Sequence, residues 1–294
     1  MPFLPRALYV VIAGLFGLCG LGLLLILGSY LVLAPGLPSV ADLKDVHLQV
    51  PLRVYSRDGR LLAVFGEKRR IPLEYNEIPK DMVNAVVAAE DENFWTHPGV
   101  DAQGVLRAGL HYAATGERDQ GGGTITMQLA RTFVSNQKTF TRKAREAFLA
   151  FRIENELSKE EILALYLNQG YLGERAYGVG AAAQTYYGTD VAHLTLAQTA
   201  MVAGLFQSPS AANPLVNPQR ALSRRGYVLG RMLADGYINR QQYDQAMAEA
   251  DDASYHGDAT EVDAPYMAEL VRNYMVDKYG EAVYDSGYSV VTTE

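Results

Sequence analysis

The chain has 294 residues, 49% of them apolar, which is enough to bury a core and too apolar for a disordered chain. A formal charge of -7 and an isoelectric point near 5.3 exclude a generally basic, nucleic-acid-binding protein. Cys19 is the only cysteine, and His47, His97, His111, His193 and His256 lack ligand spacing, so no disulfide or protein-caged transition metal is expected. A magnesium-type ion carried by a substrate phosphate stays open.

From Ala7 to Leu33 the chain carries no charge, more than the roughly 20 apolar residues that span a bilayer. The run is too long for a cleaved signal peptide and ends in Leu33-Ala34-Pro35-Gly36, so residues 7–33 are predicted to be an uncleaved transmembrane helix. The amino terminus and Arg6 precede it, and Asp42, Lys44 and Asp45 follow. Residues 1–6 are therefore expected in the cytoplasm and everything after Pro35 outside. The alternative is a buried core helix, but a helix apolar all round is rare outside membranes. Residues 34–75 read as a linker with a hairpin, Leu52–Ser56 and Leu61–Phe65 around Asp58-Gly59, a small β element near the membrane.

Residues 76–250 read as one helical domain. Pro79 opens a helix in which Val83, Val86 and Val87 share a face with Glu90. A carboxylate there is partly desolvated and suited to accept a proton near neutrality. The helix by itself leaves open a plain helix-end glutamate paired with an arginine. Gly121–Gln128 is a glycine run leading into a helix that carries Gln128 and Arg131; it suits an anion, or is simply a flexible loop. From Arg131 to Arg145 every charge is basic: Arg131, Lys138, Arg142, Lys143 and Arg145. Arg142 and Lys143 lie four and three residues before Glu146, which suits a pyrophosphate or equally a solvated ion-paired face. Ser135–Lys138 fits S-x-x-K, but lacks the other motifs of penicillin-reactive serines and reads as chance. Ser158–Glu161 is a capping box, Tyr177–Gly188 and Leu194–Leu205 are core helices, and Pro218–Asp235 and Asn239–Ala250 are amphipathic. Residues 251–294 read as a linker.

The segment Glu90–Asp101 resembles the first motif of the family 51 glycosyltransferases, the peptidoglycan polymerases. Gly121–Gln128, Arg142–Glu146, Lys159–Asn168 and Ala176–Gly188 resemble that family's later motifs, in order. Gly123, Met127, Tyr187 and Thr189 depart from its usual Ser, Gln, Phe and Lys. Ser208–Pro214, Arg220–Tyr237 and Ala264–Thr293 are similar to class A penicillin-binding proteins of the 1A type, in which a penicillin-sensitive transpeptidase domain follows; the chain is read as a piece of such a protein.

The resemblance implies a mainly α, lysozyme-like glycosyltransferase domain that polymerises lipid II into β-1,4-linked glycan, with inversion and release of undecaprenyl pyrophosphate. It implies Glu90 as base and Glu146 as a second catalytic carboxylate, with Asp91, His97, Gly122, Thr124, Thr126, Gln128, Arg131, Arg142 and Lys143 at the substrate. It leaves room for Mg2+ or another divalent cation with the pyrophosphate, held in part by Glu146, and calls for no organic cofactor. Expected partners are lipid II, the growing glycan strand, the bacterial inner membrane and regulatory cell-wall proteins, with the catalytic domain on the periplasmic or extracellular side. A mobile flap is expected within Ala108–Phe140. The competing functions are a lysozyme-like lytic hydrolase or transglycosylase, for which the basic run has no purpose, and an anchored cell-wall scaffold, which would not need Glu90, Gln128, Lys143 and Glu146 together.

Overall fold

A computed structural model describes residues 6–40, 51–66, 69–116, 123–134, 140–256, 264–284 and 286–293. Helix α1 (Arg6–Leu33) is 28 residues long. Phe16, Leu24, Leu25, Leu31 and Val32 stand exposed along it, and the Tyr30 ring meets Phe148 edge-on at 5.3 Å. Among the described residues no helix is long and apolar enough to cross a membrane.

Strands β1 (Leu52–Tyr55) and β2 (Leu61–Phe65) form the expected antiparallel hairpin. Gly59, at φ +82°, takes the left-handed turn position, and the Arg60 amide donates to Ser56 Oγ. After β3 (Arg69–Arg70) the chain is helical: α2 (Lys80–Glu90), α3 (Ala102–Thr115), α4 (Ile125–Arg131), α5 (Phe140–Glu156) and α6 (Lys159–Gln169). Strand β4 (Ala176–Tyr177), parallel to β3, leads into α7 (Val179–Tyr187), α8 (Leu196–Gly204), α9 (Pro218–Ala234) and α10 (Arg240–Ala248). Side chains start these helices where the sequence indicated: Ser158, Thr195 and Asn239 each head a full capping box. Each such cap is worth about 1 kcal/mol.

Helix α2 buries Met82, Val83, Val86 and Val87 against α8 and α9, where Ala200 and Ala203 permit close approach. Helix α4 lies on α5 and α6 through Ile125, Leu129, Leu149, Ile153 and Leu163. One apolar core joins both groups. Helix α3 differs, for none of its residues is buried, and Val105, Leu106, Leu110 and Tyr112 face outward. It is tied down at its start, where Asp101 accepts from Asn93 Nδ2 and the Gly104 amide, and by an ion pair of Arg107 with Glu92 at 2.7 Å. The expected flap falls partly on residues 117–122 and 135–139, outside the described residues.

The segment read as a linker, 251–294, contains helix α11 (Pro265–Tyr279) and strand β5 (Ser289–Val291). Strand β5 pairs in parallel with β1, Arg53 opposite Ser289, and completes a sheet of order β2-β1-β5. Leu52, Val54 and Leu62 of the hairpin form a second core with Met275 and Val283. A two-stranded ribbon cannot bury such a face by itself, which is why the end of the chain returns to it. The described chain is thus mainly helical with a small sheet, as expected from its sequence.

Candidate active site

Helix α2 ends at Glu90 because Asp91 leaves the helical region, at φ -162°. The Asp91 carboxylate turns inward and accepts the Ile125 amide at 2.9 Å and His97 Nε2–H at 2.9 Å. His97 Nδ1 accepts the Gly99 amide, so the ring is the neutral Nε2–H tautomer. One buried carboxylate thereby fastens the start of α4 to the end of α2. Thr124 caps α4, accepting the Met127 amide and donating to Gly99 O at 2.6 Å. Thr126 turns away from the cleft and donates to Glu154, which also pairs with Lys159.

This brings Gln128, on the next turn of α4, beside Glu90. Its Nε2 donates to Glu90 Oε2 at 3.1 Å, and its Oε1 accepts from Tyr166 of α6 at 2.9 Å. The other oxygen, Oε1 of Glu90, receives Arg224 of α9 at 2.9 Å. The Glu90 side chain is 8% exposed. Burial pushes its carboxyl above the ordinary carboxylate range; Gln128 and Arg224 pull it back, and Asp91 beside it pushes it up.

On α5, Glu146 is 1% exposed and faces Arg142 at 3.1 Å and Lys143 at 2.9 Å. Lys143 is more than half exposed, whereas Arg142 is largely buried behind the carboxylate. Glu90, Asp91, Thr124, Gln128, Arg131, Lys143 and Glu146 line one cleft of about 580 Å³, in the range of small-molecule sites. The cleft is polar and charged, and Arg131 makes no ion pair among the described residues.

The family model described as transglycosylase matches residues 58–233. The chain belongs to the transglycosylase family. Over 94% of its length it is 50% identical to penicillin-binding protein 1A of Pseudomonas aeruginosa, and over 91% it is 52% identical to that of Escherichia coli. These matches cover 34% and 32% of the relatives, so the chain spans about a third of the length of the curated relatives it matches. A 2.6 Å crystal structure of penicillin-binding protein 1A from Haemophilus influenzae is 33% identical, over 84% of this chain and 27% of that one, with a TM-score of 0.48.

The transglycosylase cleft does not gather every residue singled out in the sequence. His97 and Thr126 are buried beside it and hold its walls, and Arg142 braces Glu146 without lining the cleft. Gly122 lies outside the described residues; its neighbour Gly123 lines the cleft. Conversely, Glu92, Arg107, Phe206, Gln207, Arg224, Tyr227 and Arg231 line it and were given no role from sequence. Arg224, Tyr227 and Arg231 recur at i, i+3 and i+7 on α9, a cationic and aromatic stripe that helical spacing alone could have marked. Glu92 pairs with both Arg107 and Arg231, which hold it below the ordinary carboxylate range.

Proposed function

We propose that this chain is an inverting peptidoglycan glycosyltransferase of family 51, polymerising lipid II into β-1,4-linked glycan with release of undecaprenyl pyrophosphate. The observation that carries this reading is a single cleft holding a desolvated, braced Glu90 together with Lys143 and Arg131. Glu90 takes the proton of the acceptor GlcNAc 4-hydroxyl as its oxygen attacks the donor C1 from the face opposite the leaving group. The C1–O bond to pyrophosphate breaks, and Lys143 and Arg131 meet the charge that leaves. Direct displacement needs no covalent intermediate. A lytic enzyme would instead need a protonated acid at the glycosidic oxygen and gains nothing from the cations around Arg131.

Glu146 serves this chemistry by holding Lys143 in place. Both its oxygens already face cations, and among the described residues no group of three or more His, Cys, Asp or Glu could hold a metal ion. A resident metal at Glu146 therefore does not fit, and no step passes through one. A divalent cation arriving with the pyrophosphate needs no protein cage.

Helix α1 is read as a membrane anchor with the cleft on the periplasmic or extracellular side. Its charge-free run Ala7–Leu33 and exposed Phe16, Leu24, Leu25, Leu31 and Val32 support this, as does its contact, through Tyr30, with the helix that carries Lys143. The outward apolar residues of α3, at the rim of the cleft, suit a site that opens on a lipid surface. Within a longer protein of the penicillin-binding type, a transpeptidase activity and regulatory cell-wall partners belong to the same reading.

The test supplies the purified chain with labelled lipid II and, separately, with preformed glycan. Polymer from the first that disappears in Glu90→Gln is the expected result. Shortening of the second overturns the reading.

A further inference from the structure

The arrangement around Glu90 contains a choice that Glu90 itself cannot make. A glutamine amide fits its site either way round, and only one orientation offers hydrogen-bond donors to a carboxylate. With the NH2 toward Glu90 it stabilises the ionised base; reversed, it sets a carbonyl oxygen against it. Glu90 cannot select the first orientation unaided, because a protonated Glu90 accommodates the second equally well. Tyr166 breaks the tie: its hydroxyl donates to Gln128 Oε1 at 2.9 Å, and an O–H in that place has no favourable partner in the reversed amide's NH2 except by turning its own proton away. The phenol is buried, and burial with Glu90 nearby holds it well above its ordinary range, so it stays a neutral donor.

The ring has little freedom to move aside. It stacks on Phe206 at 4.8 Å between centroids and 21° between planes, and Phe206 passes so close over Gly170 that an added Cβ there would lie 2.6 Å from Cε1. Among the described residues, the groups that act on Glu90 are Asp91 from its own segment, Gln128 from α4, Tyr166 from α6 through Gln128, and Arg224 from α9.

We propose that Tyr166 is a positioning residue for the transfer reaction, its hydroxyl locking the Gln128 amide with NH2 toward Glu90 so that the base enters the reaction ionised. The part in catalysis rests on the function proposed above; the hydrogen-bond relay does not. The experiment follows the Glu90 carboxyl by 13C titration in the intact chain, assigned with Glu90→Gln, alongside the pH dependence of lipid II polymerisation. Wild type, Tyr166→Phe, Gln128→Ala and the double variant are compared.

Tyr166→Phe is expected to raise the Glu90 midpoint and the acidic limb of the rate profile together, leaving about threefold less ionised Glu90 below the midpoint, where half a pH unit is about threefold. In the Gln128→Ala background the same substitution is expected to add nothing. An unmoved midpoint in a Tyr166→Phe chain that unfolds at the wild-type temperature overturns the proposal, and so does an equal shift with and without Gln128. A wild-type chain that makes no polymer sinks the proposed function instead, while the titration still judges Tyr166. Should Tyr166→Phe not fold, nuclear Overhauser contacts from the Gln128 amide protons in wild type decide: contacts to Glu90 support the relay, and contacts to the Tyr166 ring alone overturn it.

Discussion

Arg224 of α9 lies 2.9 Å from the carboxylate of Glu90, although 134 residues of chain separate them. The guanidinium has room to reach because Gly204 of α8 carries no side chain; a Cβ there would stand 2.9 Å from Arg224 Cγ. Burial works against an ionised Glu90 and Arg224 works for it, so the carboxyl is poised between the two.

Removing Arg224 should therefore move the acidic limb of polymerisation to higher pH. Arg224→Ala is expected to lose about tenfold or more in rate near neutrality, one unit of pKa being tenfold in the ionised fraction, and to recover as pH rises. Gly204→Ala, which displaces the guanidinium stem, is expected to shift the limb in the same direction by less. A rate profile lowered equally at all pH values would mean that Arg224 binds substrate and does not tune the base.

The same balance makes Glu90 costly to the fold. Its folded-state carboxyl titrates above the unfolded value, so the folded chain holds a proton that the unfolded chain has released. Stability then falls as pH rises from the ordinary carboxylate range through the folded value, and the loss persists above it. Glu90→Gln should be more stable than wild type at neutral pH and gain nothing in acid, while polymerisation drops by about 10²–10⁴-fold. Thermal unfolding of both chains across that pH range checks the sign.

Lys143 and Glu146 should separate by assay. Lys143 is 57% exposed, so Lys143→Ala is expected to cost at most about 1 kcal/mol of stability. Its loss from the leaving-group side of the cleft is expected to slow polymerisation by about 10²–10³-fold. Glu146→Ala removes a carboxylate that is 1% exposed and faces Arg142 at 3.1 Å, and should destabilise the fold by about 1–3 kcal/mol, more than Lys143→Ala. Urea unfolding next to steady-state rates for the two variants makes the comparison.

His97 should behave as a structural residue. His97→Ala leaves an Asp91 oxygen and the Gly99 amide unpartnered in the interior, at about 1–3 kcal/mol. The expected signature is a lower unfolding temperature with an unchanged KM for lipid II in the fraction that remains folded. A raised KM without loss of stability would return His97 to the substrate.

Most of the helices were legible in the sequence because their signals are local. Ser158 with Glu161 and the apolar spacing of Val83, Val86 and Val87 act within a few residues, and the observed cap and buried face follow them. Glu90 on a desolvated face was legible for the same reason. The two sequence readings of its surroundings, a desolvated carboxylate with a raised pKa and a glutamate paired with an arginine, describe one residue at once. Strand β5 was not legible: Ser289–Val291 is three residues long and becomes a strand only because β1 offers an open edge.

The sequence by itself determined a mainly helical chain, a first helix without charge from Ala7 to Leu33, and the carboxylate and cations proposed for the transfer reaction. Tertiary structure alone decided which of them share a cleft. It turned His97 and Thr126 into the walls and Arg142 into a brace, and it brought Arg224, Arg231 and Tyr166 to the cleft from helices far away in the chain. Helix signals depend on neighbours a few residues apart, whereas an ion pair or a tuned pKa depends on distance in space. That distance is set by how the core helices pack, as small residues at Gly170, Ala200, Ala203 and Gly204 allow.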